Sequence, residues 1–405
     1  MTMVTPNQNQ ASSDEALKTI AAPQVNWRRI FGLHEMGVYY ALLLLITALT
    51  IITTYLGQAN YLSVQNLSNV VYQSSLVSIM AVAMTVVLIS GNFDLSVASV
   101  AALAAAMLIG NADAIGFLPA AILAMGVAMS IGLLNGVIVQ YVGINAFIVT
   151  LGTMTAVRGL ILIYTDGRSL STSEPSAVEA MKIFETGKHD AFWLVLALGA
   201  VLLAVGLFDL IKSRSRGVAA RPVGVGSALG GIAFLFISWA SHGELFLRNP
   251  VIYMGIFTAI VWLVLSFTIV GRRLYAVGGN AEASRLSGIN VTRYKLLAFV
   301  FCSAAAGFAG ILFASRLRSL NPTGLQGAEL TVIAAAILGG TSLFGGAGSV
   351  LKSLAGALLL YTLTNGFNIM NLGAHWQGLI EGIVVVAAAA IYTVGNKKSK
   401  SKTGG

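Results

Sequence analysis

The chain has 405 residues, of which 57% are apolar and only 10% are charged, and its formal net charge is +9. Soluble globular domains carry about 25% charged residues, so the composition excludes an ordinary soluble protein and predicts a surface that lies mostly in lipid. The basic excess does not indicate nucleic-acid binding, because Lys and Arg lie scattered between apolar runs and form no single basic face.

Polar tails flank a long apolar region. Residues 1–30 show no apolar periodicity and lack the apolar core of a secretory signal peptide. They are predicted to form a disordered cytoplasmic tail. Residues 395–405 form a Lys/Ser/Gly tail with the same predicted character. The region 31–394 between the tails is predicted to be one transmembrane domain.

Apolar segments long enough for membrane spans follow one another through this region. A helical span requires about 20 apolar residues. The pattern predicts an all-α polytopic membrane protein with about ten to twelve transmembrane helices. Candidate spans are 37–56, 69–90, 95–110, 117–141, 146–164, 191–211, 222–241, 251–271, 296–315, 328–343, 347–370 and 376–394. The third and the tenth are short, which indicates tilted, re-entrant or broken segments.

The distribution of charge predicts the orientation of the chain in the membrane, and the spacing of glycines predicts how its helices pack. Most Lys and Arg fall in segments on the side of the N-terminus, so both termini are predicted to be cytoplasmic. Three GxxxG pairs are expected to let helices pack closely, or alternatively to form a dimer seam. They are Gly132 with Gly136, Gly226 with Gly230, and Gly378 with Gly382.

Two polar segments between spans stand out. The outer loop 165–190 is of mixed charge, and it is either a partner contact or a solvated loop. In the segment 271–295, Asn280 is a favourable N-cap and Gly288 a favourable helix stop. A short helix over 281–287 is therefore predicted, either as a lever held by a partner or as an interfacial helix without one.

Few charges fall within the apolar region, where each is costly. Asp94 precedes a helix start and is predicted mainly to cap it, with a role in a substrate path second. Arg158 lies inside a span and is expected to pair with Asp94 or with backbone carbonyl groups, locking the bundle. Glu381 is expected near the outer interface.

Four stretches in the right order resemble the permease subunits of bacterial ATP-binding-cassette importers for monosaccharides. The resemblance covers roughly 37–394, so the fold it implies is the permease bundle of that family. The extra spans in 165–250 further resemble the xylose-type branch of the family more than the shorter ribose type. The stretches are GNFDLSVAS at 91–99, FIVTLGTM followed by Arg158-Gly159, GRRLYAVGGN at 271–280 followed by 282–289, and GGTSLFGGAGSV at 339–350 with Asn365-Gly366 downstream.

The resemblance implies a transport subunit and not an enzyme. It implies cassette ATPase subunits, a periplasmic sugar-binding protein and a second permease copy as partners, in the lipid bilayer of the bacterial inner membrane. This chain would hold no cofactor, because no GxxxxGK[ST] loop occurs and ATP with Mg²⁺ would bind the ATPase. The implied coupling helix comprises Asn280, Ala281, Glu282, Ala283, Arg285, Leu286, Ser287 and Gly288. Polar positions of the substrate path or bundle are Asn92, Asp94, Thr150, Arg158 and Asn365.

Two other functions are compatible with the residues alone. An ion-coupled secondary sugar transporter would use a membrane carboxylate such as Asp94 or Glu381 as its proton or cation site. A channel or membrane scaffold would need no energy source. The capped segment at 280–288 favours the importer over both.

Overall fold

The computed structural model describes residues 33–58, 60–215, 222–241 and 245–372, with five further residues between 376 and 383. Helices dominate this part of the chain, which confirms the all-α class. The helices are α1 Leu33–Tyr55, α2 Val64–Ile89, α3 Val97–Ile115, α4 Phe117–Val137, α5 Ala146–Thr165, α6 Pro175–Thr186, α7 Phe192–Ser215, α8 Pro222–Ala240, α9 Asn249–Phe267, α10 Ile269–Gly279, α11 Ala281–Leu286, α12 Val291–Leu317, α13 Ala328–Leu338 and α14 Val350–Ile369. The strands are β1 Leu170–Ser171, β2 Lys188–Asp190, β3 Phe246–Arg248 and β4 Ser319–Leu320.

Within the described ranges, nine helices are long and apolar enough to cross a membrane. The third predicted span was expected to be short. That expectation is wrong, because α3 is a regular helix of 19 residues. The tenth is confirmed as short, since α13 has 11 residues. The predicted tails 1–30 and 395–405 lie outside the described residues, as does nearly all of the predicted span 376–394.

The chain divides into two compact units. The smaller comprises residues 1–36 and 190–246, and its described core is the pair α7 and α8. A Cβ added at Gly199 would lie 3.0 Å from the backbone nitrogen of Leu235, so this glycine permits close packing. The predicted pair Gly226 and Gly230 does not, because a Cβ at either would meet nothing within 4 Å in the described part of the chain.

The larger unit comprises residues 37–189 and 247–405, and α2 lies at its centre. This helix packs against α9, α10, α12, α13 and α14, and 89% of its apolar window is buried. The predicted glycine pair at 132 and 136 does pack here against α12. A Cβ at Gly132 would lie 2.7 Å from the Phe299 carbonyl oxygen, and one at Gly136 would lie 3.2 Å from Leu296 Cα. Among the described residues, a Cβ added at Gly378 or at Gly382 would meet nothing within 4 Å.

Polar caps set where three helices of this unit begin. Ser63, Asn145 and Asn290 precede α2, α5 and α12 and accept hydrogen bonds from first-turn N–H groups at 3.2, 2.9 and 2.9 Å. Each cap satisfies a backbone donor that would otherwise lack a partner. The start of each helix is therefore encoded locally.

The larger unit has two ends, which the long helices define. α2 has 26 residues, about 39 Å, and it ends where α10 and α11 lie. α12 begins beside α11 and ends where Arg316 meets Tyr72 near the start of α2. We call the first of these the α11 end and the second, which carries α6, β1 and β4, the loop end.

Candidate functional site

Helix α11 forms as predicted, one residue shorter, from Ala281 to Leu286. The Asn280 side chain accepts a hydrogen bond from the Ala283 N–H at 2.9 Å, and Gly288 adopts a φ of 78°. Glu282 and Arg285 form an exposed ion pair at 3.0 Å. A six-residue helix is marginal in isolation, so this one depends on its cap and on what supports it.

The support beneath α11 is a contact between glycines of three chain segments, which we call the glycine junction: Ile89 to Gly91, Gly278 to Gly279, and Gly345 to Gly346. The Gly346 N–H donates to the Ile89 carbonyl at 2.9 Å. A Cβ at Gly278 would overlap that same carbonyl oxygen, and one at Gly345 would lie 2.6 Å from the Gly278 carbonyl oxygen. The backbones of the three segments therefore touch directly.

The turn that supplies Gly345 and Gly346 requires glycine for a second reason. Their φ angles are 85° and 71°, a region that side-chain-bearing residues rarely occupy. The three segments belong to three of the four motif stretches found in the sequence. The sequence identified these stretches but gave no sign that they meet.

Helix α10 leads into the junction and is held against it by Tyr275. The Tyr275 hydroxyl donates to the Gly348 carbonyl at 2.9 Å. Burial raises the pKa of this phenol, so it stays protonated and keeps its donor. Leu274 on the same helix is buried, whereas Arg272 and Arg273 are exposed. An amphipathic segment thus connects α9 to α11.

Asp94 lies at the end of a buried chain of hydrogen bonds that joins three elements. Thr153 on α5 donates to the Asn135 side-chain oxygen at 2.6 Å. The Asn135 amide of α4 donates to Ser96 Oγ at 3.0 Å, and Ser96 Oγ donates to Asp94 Oδ1 at 2.5 Å. Asp94 also accepts from the Ser96 N–H at 2.9 Å, just before α3 begins at Val97. Asp94 therefore bonds to Ser96, the N-cap residue of α3. It does not accept hydrogen bonds from the first-turn N–H groups of α3, as a capping residue would.

Arg158 does not pair with Asp94, so that prediction is wrong. Its guanidinium Nη2 lies 2.6 Å from Glu329 Oε1 on α13, and the Glu329 side chain is 8% exposed. Glu329 was missed because it is distant in sequence from Arg158 and stands at the edge of an apolar run. Its place in the first turn of α13 suits the helix dipole. About ten residues, or about 15 Å, separate it from the glycine junction end of α13.

The other predicted polar positions have local partners and do not converge on one site. Asn365 on α14 exchanges two hydrogen bonds with Asn66 on α2, at 3.0 and 3.1 Å. Asn92 donates to Ser90 Oγ at 3.1 Å, and Thr150 donates to the carbonyl of Ala146 in its own helix at 2.8 Å. Glu381 lies outside the described residues.

At the loop end a buried charge cluster fixes the segment 165–190. Glu185 of α6 is fully buried and accepts from Tyr72 at 2.6 Å and from Arg316 Nε at 2.7 Å. The Arg316 guanidinium also lies 4.0 Å from the Tyr72 ring centroid, a cation–π contact. β1 pairs with β4 antiparallel, with Leu170 opposite Leu320. The segment is a folded cap on the larger unit and not a merely solvated loop.

Comparisons with known proteins identify the family of this chain. A model described as branched-chain amino acid transport system, permease component, matches residues 66–389. The ribose import permease protein of Escherichia coli strain K12 is 34% identical over 377 residues, which cover 92% of this chain and 98% of that protein. The xylose transport system permease protein of the same strain is 32% identical over 387 residues, with coverages of 91% and 95%.

The xylose transport system permease protein of Haemophilus influenzae strain Rd is likewise 32% identical, over 389 residues that cover 91% of this chain and 100% of that protein. No solved structure gives a significant match. Such similar identities do not separate a ribose type from a xylose type. The match over residues 66–389, with relatives of nearly equal length, makes this chain a member of the branched-chain amino acid transport system permease family, a membrane-embedded transport subunit.

Proposed function

We propose that this chain is the membrane-spanning subunit of an ATP-binding-cassette importer that carries a monosaccharide, a pentose such as ribose or xylose, across the bacterial inner membrane. The observation that carries the proposal is α11, a capped and exposed helix whose base is bound by backbone contacts to α2 and to the turn before α14. The names of the ribose and xylose relatives support the substrate class.

Helix α11 is the surface on which a cassette ATPase docks. Glu282, Arg285 and Leu286 are exposed, whereas Ser284 faces the protein and is 5% exposed. The basic pair Arg272 and Arg273 lies close by, which by the positive-inside rule favours a cytoplasmic α11 end. Both termini would then be cytoplasmic, and ATP with Mg²⁺ would be held by the ATPase.

Motion of α11 reaches the bundle through the glycine junction. The ATPase must bind the two conformations of the bundle with different affinity, because only differential affinity shifts such an equilibrium. Direct backbone contact at Ile89, Gly278 and Gly346 leaves no flexible side chain between α11 and the end of α2. A displacement of α11 is therefore passed on to α2.

Polar groups at intermediate depth provide the path for an uncharged solute. The ion pair of Arg158 with Glu329, and the half-buried Thr153 at the outer end of the hydrogen-bonded chain, offer charged and hydroxyl partners for sugar hydroxyls. Arg158 is 27% exposed, so this pair has access to the space beside it. A tight site is unnecessary here if a periplasmic binding protein supplies the selectivity.

The loop end is the docking surface for that binding protein, and a second permease copy completes the assembly. Helix α6 presents Glu179 and Lys182, both more than half exposed, on a base that Glu185 and Arg316 make rigid. A preorganised surface loses less conformational entropy on binding than a mobile loop.

A charge-swap experiment tests the docking role. In the reconstituted complex, Glu282→Arg should lower ATPase co-purification and uptake about tenfold, because it reverses an exposed charge within the proposed interface and so disrupts charge complementarity with the partner. The double variant Glu282→Arg/Arg285→Glu restores the ion pair in reverse and tests whether helix stability alone explains the loss. Unchanged co-purification in both variants would remove α11 as the docking site.

A second experiment separates the importer from an ion-coupled transporter. Uptake by the importer should stop when the partner ATPase carries an inactive nucleotide site, and it should survive a protonophore while ATP is maintained. The opposite pattern would favour the ion-coupled transporter, with a membrane carboxylate such as Asp94 or Glu381 as its ion site. Sugar binding to the partner binding protein then identifies the substrate.

A further inference from the structure

We propose that the turn 342–346, through the side chain of Phe344, is a second contact for the same cassette ATPase that docks on α11. This inference rests on the proposed function and extends the docking surface to a separate chain segment. Phe344 is 91% exposed, the largest exposed fraction among the large apolar residues of the described part.

The turn is rigid, so the exposure of Phe344 is built into the fold. The Ser342 N–H donates to the Ala347 carbonyl at 2.9 Å, and the Phe344 N–H donates to Ser342 Oγ at 3.2 Å. Gly345 and Gly346 then hold left-handed backbone conformations. Ser342 itself is 8% exposed, so the base of the turn is buried while its tip projects outward.

The turn and α11 form one continuous surface. A Cβ at Gly346 would lie 2.5 Å from the Cα of Gly279, which directly precedes the N-cap residue Asn280. Leu286 of α11 is 83% exposed. Two large apolar side chains are thus presented at the same end of the larger unit, on two segments whose backbones touch.

The surroundings favour a protein partner over lipid. Exposed Arg272, Arg273 and Arg285 and the exposed Glu282 lie on the segments beside the turn, so the patch is an apolar centre with a charged rim. Protein interfaces have this arrangement, with aromatic residues enriched at the centre. The occupant is the ATPase, because its proposed docking helix is continuous with the turn.

Single-cysteine probes test the inference. Cys302 is fully buried, so a thiol-reactive fluorophore will label an introduced cysteine selectively. Phe344→Cys and Leu286→Cys are labelled separately in permease reconstituted in lipid nanodiscs, and the partner cassette ATPase is added. Blue-shifted emission of both probes on addition supports the inference.

Other outcomes distinguish the inference from the proposed function. A shift at Leu286 without one at Phe344 overturns the second contact and leaves α11 docking intact. No shift at either position contradicts both. Emission from Phe344→Cys that is blue-shifted before the ATPase is added, and unchanged afterwards, places the turn in lipid and overturns the inference.

Affinity provides an independent measurement. Phe344→Ala should weaken ATPase binding about tenfold, as truncation of an interface aromatic does, and Phe344→Trp should retain most of the binding. The matched control is Ile163→Ala, which removes an 80% exposed apolar side chain in the last turn of α5, toward the loop end. Equal binding by wild type and Phe344→Ala, or equal losses in Phe344→Ala and Ile163→Ala, would refute the contact.

Discussion

The two ends of the larger unit are held together by different chemistry. At the α11 end, glycine backbones touch and a Cβ at Gly278 would overlap the Ile89 carbonyl. At the loop end, long side chains make the contacts, through the buried pair of Glu185 and Arg316 at 2.7 Å. Direct backbone contact transmits a displacement because no flexible side chain lies between the segments. A buried ion pair resists separation, because a buried charge without its partner costs free energy. One end is therefore suited to passing on motion and the other to holding a fixed surface.

The largest loss of stability should come from removing the buried ion pair at the loop end. Glu185→Ala leaves the Arg316 charge, 16% exposed, without its partner and should destabilise the protein by about 3 kcal/mol. Thermal unfolding of the purified permease measures this change. The control is Glu179→Gln, which removes an exposed pair with Lys182 at 3.8 Å and should cost less than about 0.5 kcal/mol. Similar losses in both variants would mean that Glu185 is not a structural clamp.

A methyl group inserted into the glycine junction should break the other end. Gly278→Ala drives a Cβ into the Ile89 carbonyl and should cost about 1–3 kcal/mol as an overpacked contact, with a greater proportional loss of transport. Gly279→Ala is a close control, because its Cβ would meet only Gly346 Cα at 3.8 Å. Uptake and unfolding temperature are measured together. Normal uptake in Gly278→Ala would show that the junction does not carry the motion.

The ion pair of Arg158 with Glu329 lies between the two ends. It tests whether a charged pair at this depth stabilises the fold, serves transport, or does both. Arg158→Gln leaves Glu329, 8% exposed, without its cation and should cost about 1–3 kcal/mol. Adding Glu329→Gln should restore stability, because the uncompensated charge is then gone. If the pair also contacts substrate, uptake will stay low in the double variant while its unfolding temperature recovers. Full recovery of both would reduce the pair to a structural role.

The smallest effect should come from the cap of α11. Asn280→Ala removes the 2.9 Å bond to the Ala283 N–H and should cost about 1 kcal/mol locally, while Asn280→Asp keeps an acceptor. Faster amide hydrogen exchange over 281–286 and weaker ATPase retention are expected for the alanine variant alone. Identical exchange in both variants would show that the cap does not order α11.

Local features were predicted well from the sequence, because their signals lie within a few residues. Asn280 and Gly288 mark the limits of α11, and the apolar lengths mark most spans. The partner of Arg158 was predicted wrongly, since Glu329 lies 171 residues away and nothing in the sequence links them. The glycine junction was equally hidden, because glycines have no side chain whose chemistry indicates a partner. Glu185 looked like one charge among many in a polar loop, and only the fold buries it.

The brevity of α13 has a consequence for the membrane around it. Eleven residues rise about 16 Å, roughly half the thickness of a hydrocarbon core. The non-helical chain on either side must be covered by protein or reached by water, since lipid cannot satisfy its amide groups. Where water rather than protein covers those segments, the barrier between the two aqueous compartments is only a few helical turns thick. A solute can then change sides through a small rearrangement of protein, with no need to traverse the full depth of the bilayer in one step.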